Sequence, residues 1–316
     1  MKKWFGFFLI GVLAVLSANG QQKRLVVTQD GSGDHATIQS AVDAIPAFPN
    51  ERIEILIKNG IYREKLVISS WKTNLTFLGE DRDKTIIVWN DYSGKGQINT
   101  FTSYTVLVQG NGFRAENLTF QNDAGPVGQA VALHVEADRC VFRNCRILGD
   151  QDTVYAGVDN SRQYYVNCYI EGTTDFIFGP ATAVFQNCTI HCKKNSYITA
   201  ASTPQHQPYG FVFLNCTITT SAPQATKVYL GRPWRPYAQT VFLNTELGAH
   251  ILPEGWHNWN KPDAEKTALY AEYKSTGPGA APEKRVAWSK QLSWKEARKY
   301  KPERILAGDD HWNPTQ

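Results

Sequence analysis

Two aspartates at matched positions are the residues best placed to do chemistry in this sequence. Asp152 lies in Gly149-Asp150-Gln151-Asp152-Thr153-Val154-Tyr155, seven residues after Cys145. Asp175 lies in Gly172-Thr173-Thr174-Asp175-Phe176-Ile177-Phe178-Gly179, seven residues after Cys168. Two carboxyl groups held close together cannot both ionise freely, so one has its pKa raised and can serve as an acid near neutral pH. The other needs a cation. Arg232, in Tyr229-Leu230-Gly231-Arg232-Pro233-Trp234, follows Asp175 by 57 residues and is the candidate, since a guanidinium holds a carboxylate through two parallel hydrogen bonds. Gln151 adjoins Asp152, and Gln129, 23 residues before Asp152, extends the column by one coil. Alone, each Asp reads as a turn former and the Arg as a surface charge. Two amides, two carboxylates, an arginine and nearby aromatics at matched spacing make a site.

The elements that must position these groups are announced by a repeated phrase. Val141-Phe142-Arg143-Asn144-Cys145-Arg146-Ile147 is followed by Tyr164-Tyr165-Val166-Asn167-Cys168-Tyr169-Ile170, then by Val184 to Ile190 and Val212 to Ile218, with weaker copies at Phe113 to Phe120 and Val241 to Leu247. The Cys positions 145, 168, 188 and 216 are 23, 20 and 28 residues apart, a period that suits a solenoid with one coil per repeat and is too short for propeller blades. Within a phrase the residues alternate as in a strand, but the alternation slips by one at Asn144. Asn tolerates a left-handed backbone, so the chain can bend there while both flanking segments keep their apolar residues inward. The expected fold is all-β: a right-handed parallel β-helix whose coils stack at about 4.8 Å around a column of Phe, Cys and Ile. Equal offsets in consecutive coils then make Asp152 and Asp175 vertical neighbours. Arg232 falls two or three coils further along the same face.

The ends of the chain read differently. Lys2 and Lys3, an apolar stretch from Trp4 to Leu16 and the small residues up to Gly20 have the order of a secretory signal peptide; thirteen apolar residues fall short of the roughly twenty that span a bilayer. The expectation is a signal over residues 1–20 and a single β-helix domain over 21–316, soluble, monomeric, and secreted or periplasmic. Ile38, Ala41, Val42 and Ile45 form a helical stripe that caps the open end of the core. The periodicity stops after about Trp259, and a Ser293-x-x-Glu296 capping box opens a helix near Trp294 to Tyr300 in a tail packed along the coils. Gly31-x-Gly33-x-x-Ala36 mimics a dinucleotide fingerprint, but the strand Ile53 to Ile57 ends without an acidic residue and no alternating helices follow, so it reads as a turn.

Composition narrows the function further. The 316 residues carry 33 Lys and Arg against 29 Asp and Glu, and removing Lys2 and Lys3 leaves 31 against 29, a balance of +2 that argues against a nucleic-acid partner. The six Cys residues look like small buried hydrophobes, although one or two bridges remain compatible with export. Neither they nor the seven scattered His residues show metal-binding spacing, so no metal site is expected.

The sequence resembles the pectin methylesterases, a carbohydrate esterase family. The likeness runs through Asp30-Gly31-Ser32-Gly33 with Thr37-Ile38-Gln39, Gly60-Ile61-Tyr62-Arg63-Glu64, Gln129-Ala130-Val131-Ala132-Leu133, Gln151-Asp152-Thr153, Asp175-Phe176-Ile177-Phe178-Gly179 and Leu230-Gly231-Arg232-Pro233-Trp234. It implies hydrolysis of methyl esters on galacturonan, without metal or cofactor, with methyl-esterified homogalacturonan (pectin) as partner. Carried over by motif, Asp175 is the nucleophile, Asp152 the general acid and base, Arg232 the group that orients Asp175, and Gln129 and Gln151 the oxyanion donors. Tyr155, Phe178 and Trp234 become aromatic walls for sugar rings, while Phe176 reads as core. The residues read alone agree, because acyl transfer needs a nucleophile, an acid-base and an oxyanion hole, and no Gly-x-Ser-x-Gly elbow supplies them. Two departures stand out: Asp150 where plant members usually have Tyr, and Thr174 where many have Val. The rival readings are a β-helix pectate lyase or polygalacturonase, and a secreted polysaccharide-binding β-helix without catalysis.

Overall fold

A left-handed Asn ladder sets the path of the chain. In the computed structural model, which describes Met1 and residues 24–315, Asn117, Asn144, Asn167, Asn187, Asn215 and Asn244 all have φ between 49° and 57°. Asn enters this region at lower cost than most side chains, because its short amide bonds locally. Here it does so across coils: the Asn144 amide nitrogen donates to Asn117 Oδ1 at 2.7 Å. Each Asn ends a strand of one sheet and turns the chain into a strand of the next, as in Cys140–Arg143 followed by Arg146–Leu148.

Three parallel sheets result, of eleven, eight and seven strands among the described residues, and each strand pairs with its counterparts in the coils before and after. This is the expected right-handed parallel β-helix. Its interior holds a stack of rings: Phe142, Tyr165, Phe185, Phe213 and Phe242 follow one another at centroid distances of 4.8, 4.7, 4.6 and 4.3 Å with planes within 14° of parallel. Parallel in-register pairing puts the same side chain over itself in each coil, so the strand spacing itself produces the stack. Cys145, Cys168, Cys188 and Cys216 form a second column, each thiol donating to a carbonyl of the previous coil at 3.3–3.5 Å. All six Cys are buried and free, which removes the bridges left open by the sequence.

The helix Ile38–Ala44 buries Ile38, Ala41 and Val42 against the first coil, with Thr37 as N-cap. Glu64 accepts from the Ile38 and Gln39 amides, so a carboxylate meets the positive end of the helix. The Gly31–Gly33 segment is a turn: Gly31 has φ 77°, and a Cβ at Gly33 would lie 2.6 Å from the Val26 carbonyl oxygen.

The coils outrun the sequence period. Beyond Trp259, Leu269–Tyr273 and Lys290–Gln291 extend the eleven-stranded sheet in parallel. Lys274, with φ 51°, takes the place of the Asn in that coil, which is why the phrase becomes unreadable there. The tail lies on the outer face of the same sheet as expected, burying Ala297, Ile305 and Leu306 against Val184, Val212 and Val241. The capping box at Ser293 forms, and its helix is shorter than expected, Trp294–Ala297. The signal segment lies outside the described residues. Among the described residues no helix is long and apolar enough to cross a membrane.

Candidate functional site

The seven-stranded sheet carries the chemistry on its outer face. Val154–Ala156 pairs with Ile177–Gly179 in the register Val154↔Ile177 and Tyr155↔Phe178, so Asp152 and Asp175 enter their strands one above the other. Both adopt left-handed backbone conformations, with φ 63° and 49°. A non-glycine residue held there costs on the order of 1–2 kcal/mol, and such positions cluster where a side chain must be aimed. The main chain secures them: Asp152 N–H donates to Thr174 O at 3.0 Å and Asp175 N–H to Tyr197 O at 2.8 Å.

The surroundings of the two carboxyl groups differ. Asp175 receives a guanidinium fork, Arg232 Nε to Oδ1 at 2.9 Å and Nη2 to Oδ2 at 2.6 Å. Asp152 has no side-chain hydrogen bond among the described residues. Both are buried, at 8% and 6% exposure for Asp152 and Asp175. Burial pushes Asp152 up to about 8, the Asp175 charge adds to the rise, and Arg232 opposes it. Burial also raises Asp175, but there the hydrogen bonds and charge of Arg232 hold the rise back. The pair is therefore divided into a carboxyl that keeps its proton near neutrality and one that is steadied as an anion.

Arg232 sits two coils from Asp175, following the register Tyr197↔Tyr229 and Thr199↔Gly231. Its guanidinium reaches back between two rings, 4.0 Å from the Tyr197 centroid and 3.6 Å from that of Trp259. Aromatic faces on both sides fix the plane of the fork and supply cation–π attraction.

Gln129 does not stand where simple counting puts it. Gln129 pairs in parallel with Gln151 rather than with Asp152. Further along, Leu133 pairs with Val154, so four residue steps on one strand match three on the other. The extra residue is taken up where Thr153 O accepts from both Ala132 N–H and Leu133 N–H, at 2.9 and 3.1 Å. This is a β-bulge, a device that re-aims side chains beside sites. It sets the two amides side by side next to Asp152, and neither is engaged by a hydrogen bond among the described residues.

Asp152, Asp175, Gln129, Gln151, Arg232, Phe178 and Trp234 line one cavity of about 350 Å³. Phe178 and Trp234 form a wall with ring centroids 6.0 Å apart. Tyr155 is not part of the lining; it packs behind, 4.9 Å from Phe178, 4.6 Å from His134 and 5.3 Å from Phe101. Phe176 is fully buried. Trp259, Phe101, Thr100 and Ala200 complete the cavity and were not picked out from sequence. Trp259 lies in a turn and Phe101 in the single 3-10 turn Thr100–Thr102, both outside the repeated phrase, where only their being aromatic marks them. Of the two departures, Asp150 pairs with Lys193 at 3.0 Å, and Thr174 Oγ1 lies 2.7 Å from Ser196 Oγ.

A parallel β-helix with an open groove is a scaffold for acting on long polymers, and an anionic carboxylate beside a protonated one, with two free amides, is equipment for an acyl group. That class, a β-helix carboxylic ester hydrolase, is where the geometry leads. The pectinesterase family model matches residues 24–309, and the chain belongs to the pectinesterase family. It is 43% identical to pectinesterase 31 of Arabidopsis thaliana over 86% of this chain and 88% of that one. It spans only about half the length of the pectinesterase/pectinesterase inhibitor proteins of the same plant that it also matches, 51% in one case. Among solved structures it is similar to the pectin methylesterase from carrot, with TM-score 0.86 and 39% identity over 93% of this chain and 96% of that one. It is also similar to a pectin methylesterase point mutant in complex with a hexasaccharide, with TM-score 0.81 and 30% identity over 94% and 99% of the two chains.

Proposed function

We propose that this protein removes methyl esters from the galacturonosyl residues of pectin, with Asp175 as nucleophile and Asp152 as general acid and base. The observation that carries the reading is the unequal state of the carboxyl pair, one forked by Arg232 and the other raised to about 8. In the first half, Asp175 attacks the ester carbonyl and the carbonyl oxygen becomes an oxyanion, which Gln129 and Gln151 stabilise by donating N–H groups. As the tetrahedral centre collapses, the bond to the methoxy oxygen breaks, and the Asp152 proton passes to that oxygen so that methanol leaves. An acyl-enzyme anhydride on Asp175 remains. In the second half, Asp152, now a carboxylate, takes a proton from water as the water oxygen attacks the acyl carbon. Collapse frees the Asp175 carboxylate and releases the galacturonosyl carboxylic acid, whose remaining proton from the water passes to solvent as it ionises, while Asp152 stays protonated for the next turnover.

The aromatic wall of Phe178, Trp234 and Trp259 suits the apolar faces of sugar rings. The protein acts outside the cytoplasm as a monomer after loss of residues 1–20, with no membrane or nucleic-acid partner. The likeness to a methylesterase crystallised with a hexasaccharide supports an oligosaccharide in the groove.

Methanol release from highly methylated pectin by the purified mature protein, in the presence of a chelator, tests this reading, with ultraviolet absorbance followed for unsaturated chain ends. Methanol without new absorbance is expected. Unsaturated ends without methanol would replace the esterase with a lyase, and no reaction on folded protein would leave a binding role.

A further inference from the structure

We propose that Asn122, which does not line the cavity, is a positioning residue that sets Gln129 and the adjoining wall by clamping the two ends of the loop over residues 91–103. This rests on the assignment of Gln129 as an oxyanion donor. Asn122 ends the strand Thr119–Asn122 and is 4% exposed. The two hydrogens of its amide nitrogen are shared among three main-chain carbonyls, Asp91 O at 2.9 Å, Ser103 O at 3.1 Å and Val131 O at 3.1 Å, one hydrogen through a bifurcated bond. The first two are the ends of the loop. The third lies two residues past Gln129. The amide oxygen is also engaged, accepting from Ala124 N–H at 3.0 Å.

The loop touches the site at both ends of its path. Ser93 N–H donates to the Gln129 carbonyl at 2.8 Å, and Thr105 N–H donates to Val131 O at 2.9 Å. Val131 N–H donates to Ser103 Oγ at 3.2 Å. Between these points the loop carries Thr100 and Phe101 into the cavity lining. Gln129 is thus held by an isolated bridge to Gln151 on one side and by this loop on the other. The loop base has a further anchor, with Asp91 paired to Lys65 at 2.7 Å and to Lys95 at 3.0 Å. Lys65 also donates to Thr102 O at 2.7 Å and so joins the two ends of the loop from outside; Asn122 adds the Gln129 strand, tying Asp91, Ser103 and Val131 to one another through a single side chain.

Removing the amide leaves the Asp91 and Ser103 carbonyls without this donor and Val131 O with Thr105 N–H alone, and the two orphaned carbonyls regain a partner only by shifting or admitting water. An oxyanion donor displaced by a fraction of an ångström loses much of its effect. Asn122→Ala is expected to lower kcat about tenfold with KM within about twofold, while deletion of the donor itself in Gln129→Ala lowers kcat about a hundredfold. The decisive measurement is the double variant. If Asn122 acts through Gln129, adding Asn122→Ala to Gln129→Ala lowers kcat by less than about threefold, because there is no donor left to misplace. Circular dichroism and thermal unfolding establish that each variant is folded, and Asn122→Ser, which keeps a hydroxyl donor, replaces the Ala variant if that one fails to fold. An unchanged kcat, a full tenfold effect on top of Gln129→Ala, or failure of both Asn122 variants to fold would each overturn the proposal. An unchanged kcat in Gln129→Ala alone would instead overturn the oxyanion assignment.

Discussion

Replacing Asp152 by Asn is expected to abolish turnover and, at high pH, to make the protein more stable. The carboxyl has an ordinary value of 3.8 and is raised to about 8 in the folded protein, first by burial and then by the Asp175 charge. A raised acid binds its proton more tightly when folded, so its stabilising contribution is complete below about pH 4 and is lost as the pH climbs through about 8. Relative to a neutral amide of the same shape, the parent is therefore penalised only as the pH rises. At about 1.4 kcal/mol per unit of pKa, a rise of roughly four units sets a ceiling of about 6 kcal/mol. The cavity is open to water, and effective dielectrics in such sites are well above those of dry protein, so about half the ceiling is the better expectation. For a chain of this size, about 3 kcal/mol corresponds to a shift of roughly 5 °C in unfolding temperature. The assay compares thermal unfolding of parent and Asp152→Asn at about pH 4.5 and about pH 9, where the difference between the two proteins isolates this one group. Unfolding temperatures within about 2 °C of each other at the lower pH and a clearly more stable variant at the higher one are expected. A variant that is equally or less stable at the higher pH would refute the argument that Asp152 is a destabilised, proton-holding carboxyl.

The other predictions concern the cation, the bends and the core. Arg232→Lys keeps the charge but loses the two-bond fork, so kcat falls by about a hundredfold or more; with less opposition to burial, Asp175 titrates higher and the acid limb of the pH–rate profile moves upward, whereas an unmoved limb would separate Arg232 from the ionisation of Asp175. The parent should lose activity above about pH 8 as Asp152 gives up its proton, which a pH–kcat profile checks. Asn144→Gly should be tolerated far better than Asn144→Ala, because Ala costs about 1–2 kcal/mol in the left-handed slot; equal unfolding temperatures for the two would remove the bend argument. Phe213→Ala takes one ring from the middle of the stack and should cost about 3–5 kcal/mol by chemical denaturation.

The parts of the molecule that follow from parallel stacking were legible because stacking repeats itself in the sequence. The Asn-Cys phrase marked the bend, the Phe and Cys columns marked the core, and the common offset of Asp152 and Asp175 from their cysteines marked the pair. What escaped was what breaks the period. The bulge opposite Thr153 adds a residue to one strand and shifts Gln129 by one, and no residue type at Ala132 or Leu133 announces it. The coil ending at Lys274 was invisible because a lysine fills the left-handed slot there. Trp259 and Phe101 reach the cavity from connections whose course depends on packing, and the Asn122 clamp reaches carbonyls 31, 19 and 9 residues away without any repeated signal.

The ladder of left-handed asparagines also divides the chain into positions that can gain or lose residues and positions that cannot. From one phrase to the next the count changes, 23, 20 and then 28, yet the Asn, the ring and the thiol return to the same columns. The differences are absorbed in the turns between strands, where a longer excursion does not disturb the pairing above and below. The stretch from a phrase cysteine to its aspartate lies on the other side of that divide: it is seven residues in both coils that carry a carboxyl group, and one residue more in either would carry its aspartate past the other. Groove shape can thus diversify by insertions in the turns while the spacing of the two carboxyl groups stays as the stacking sets it.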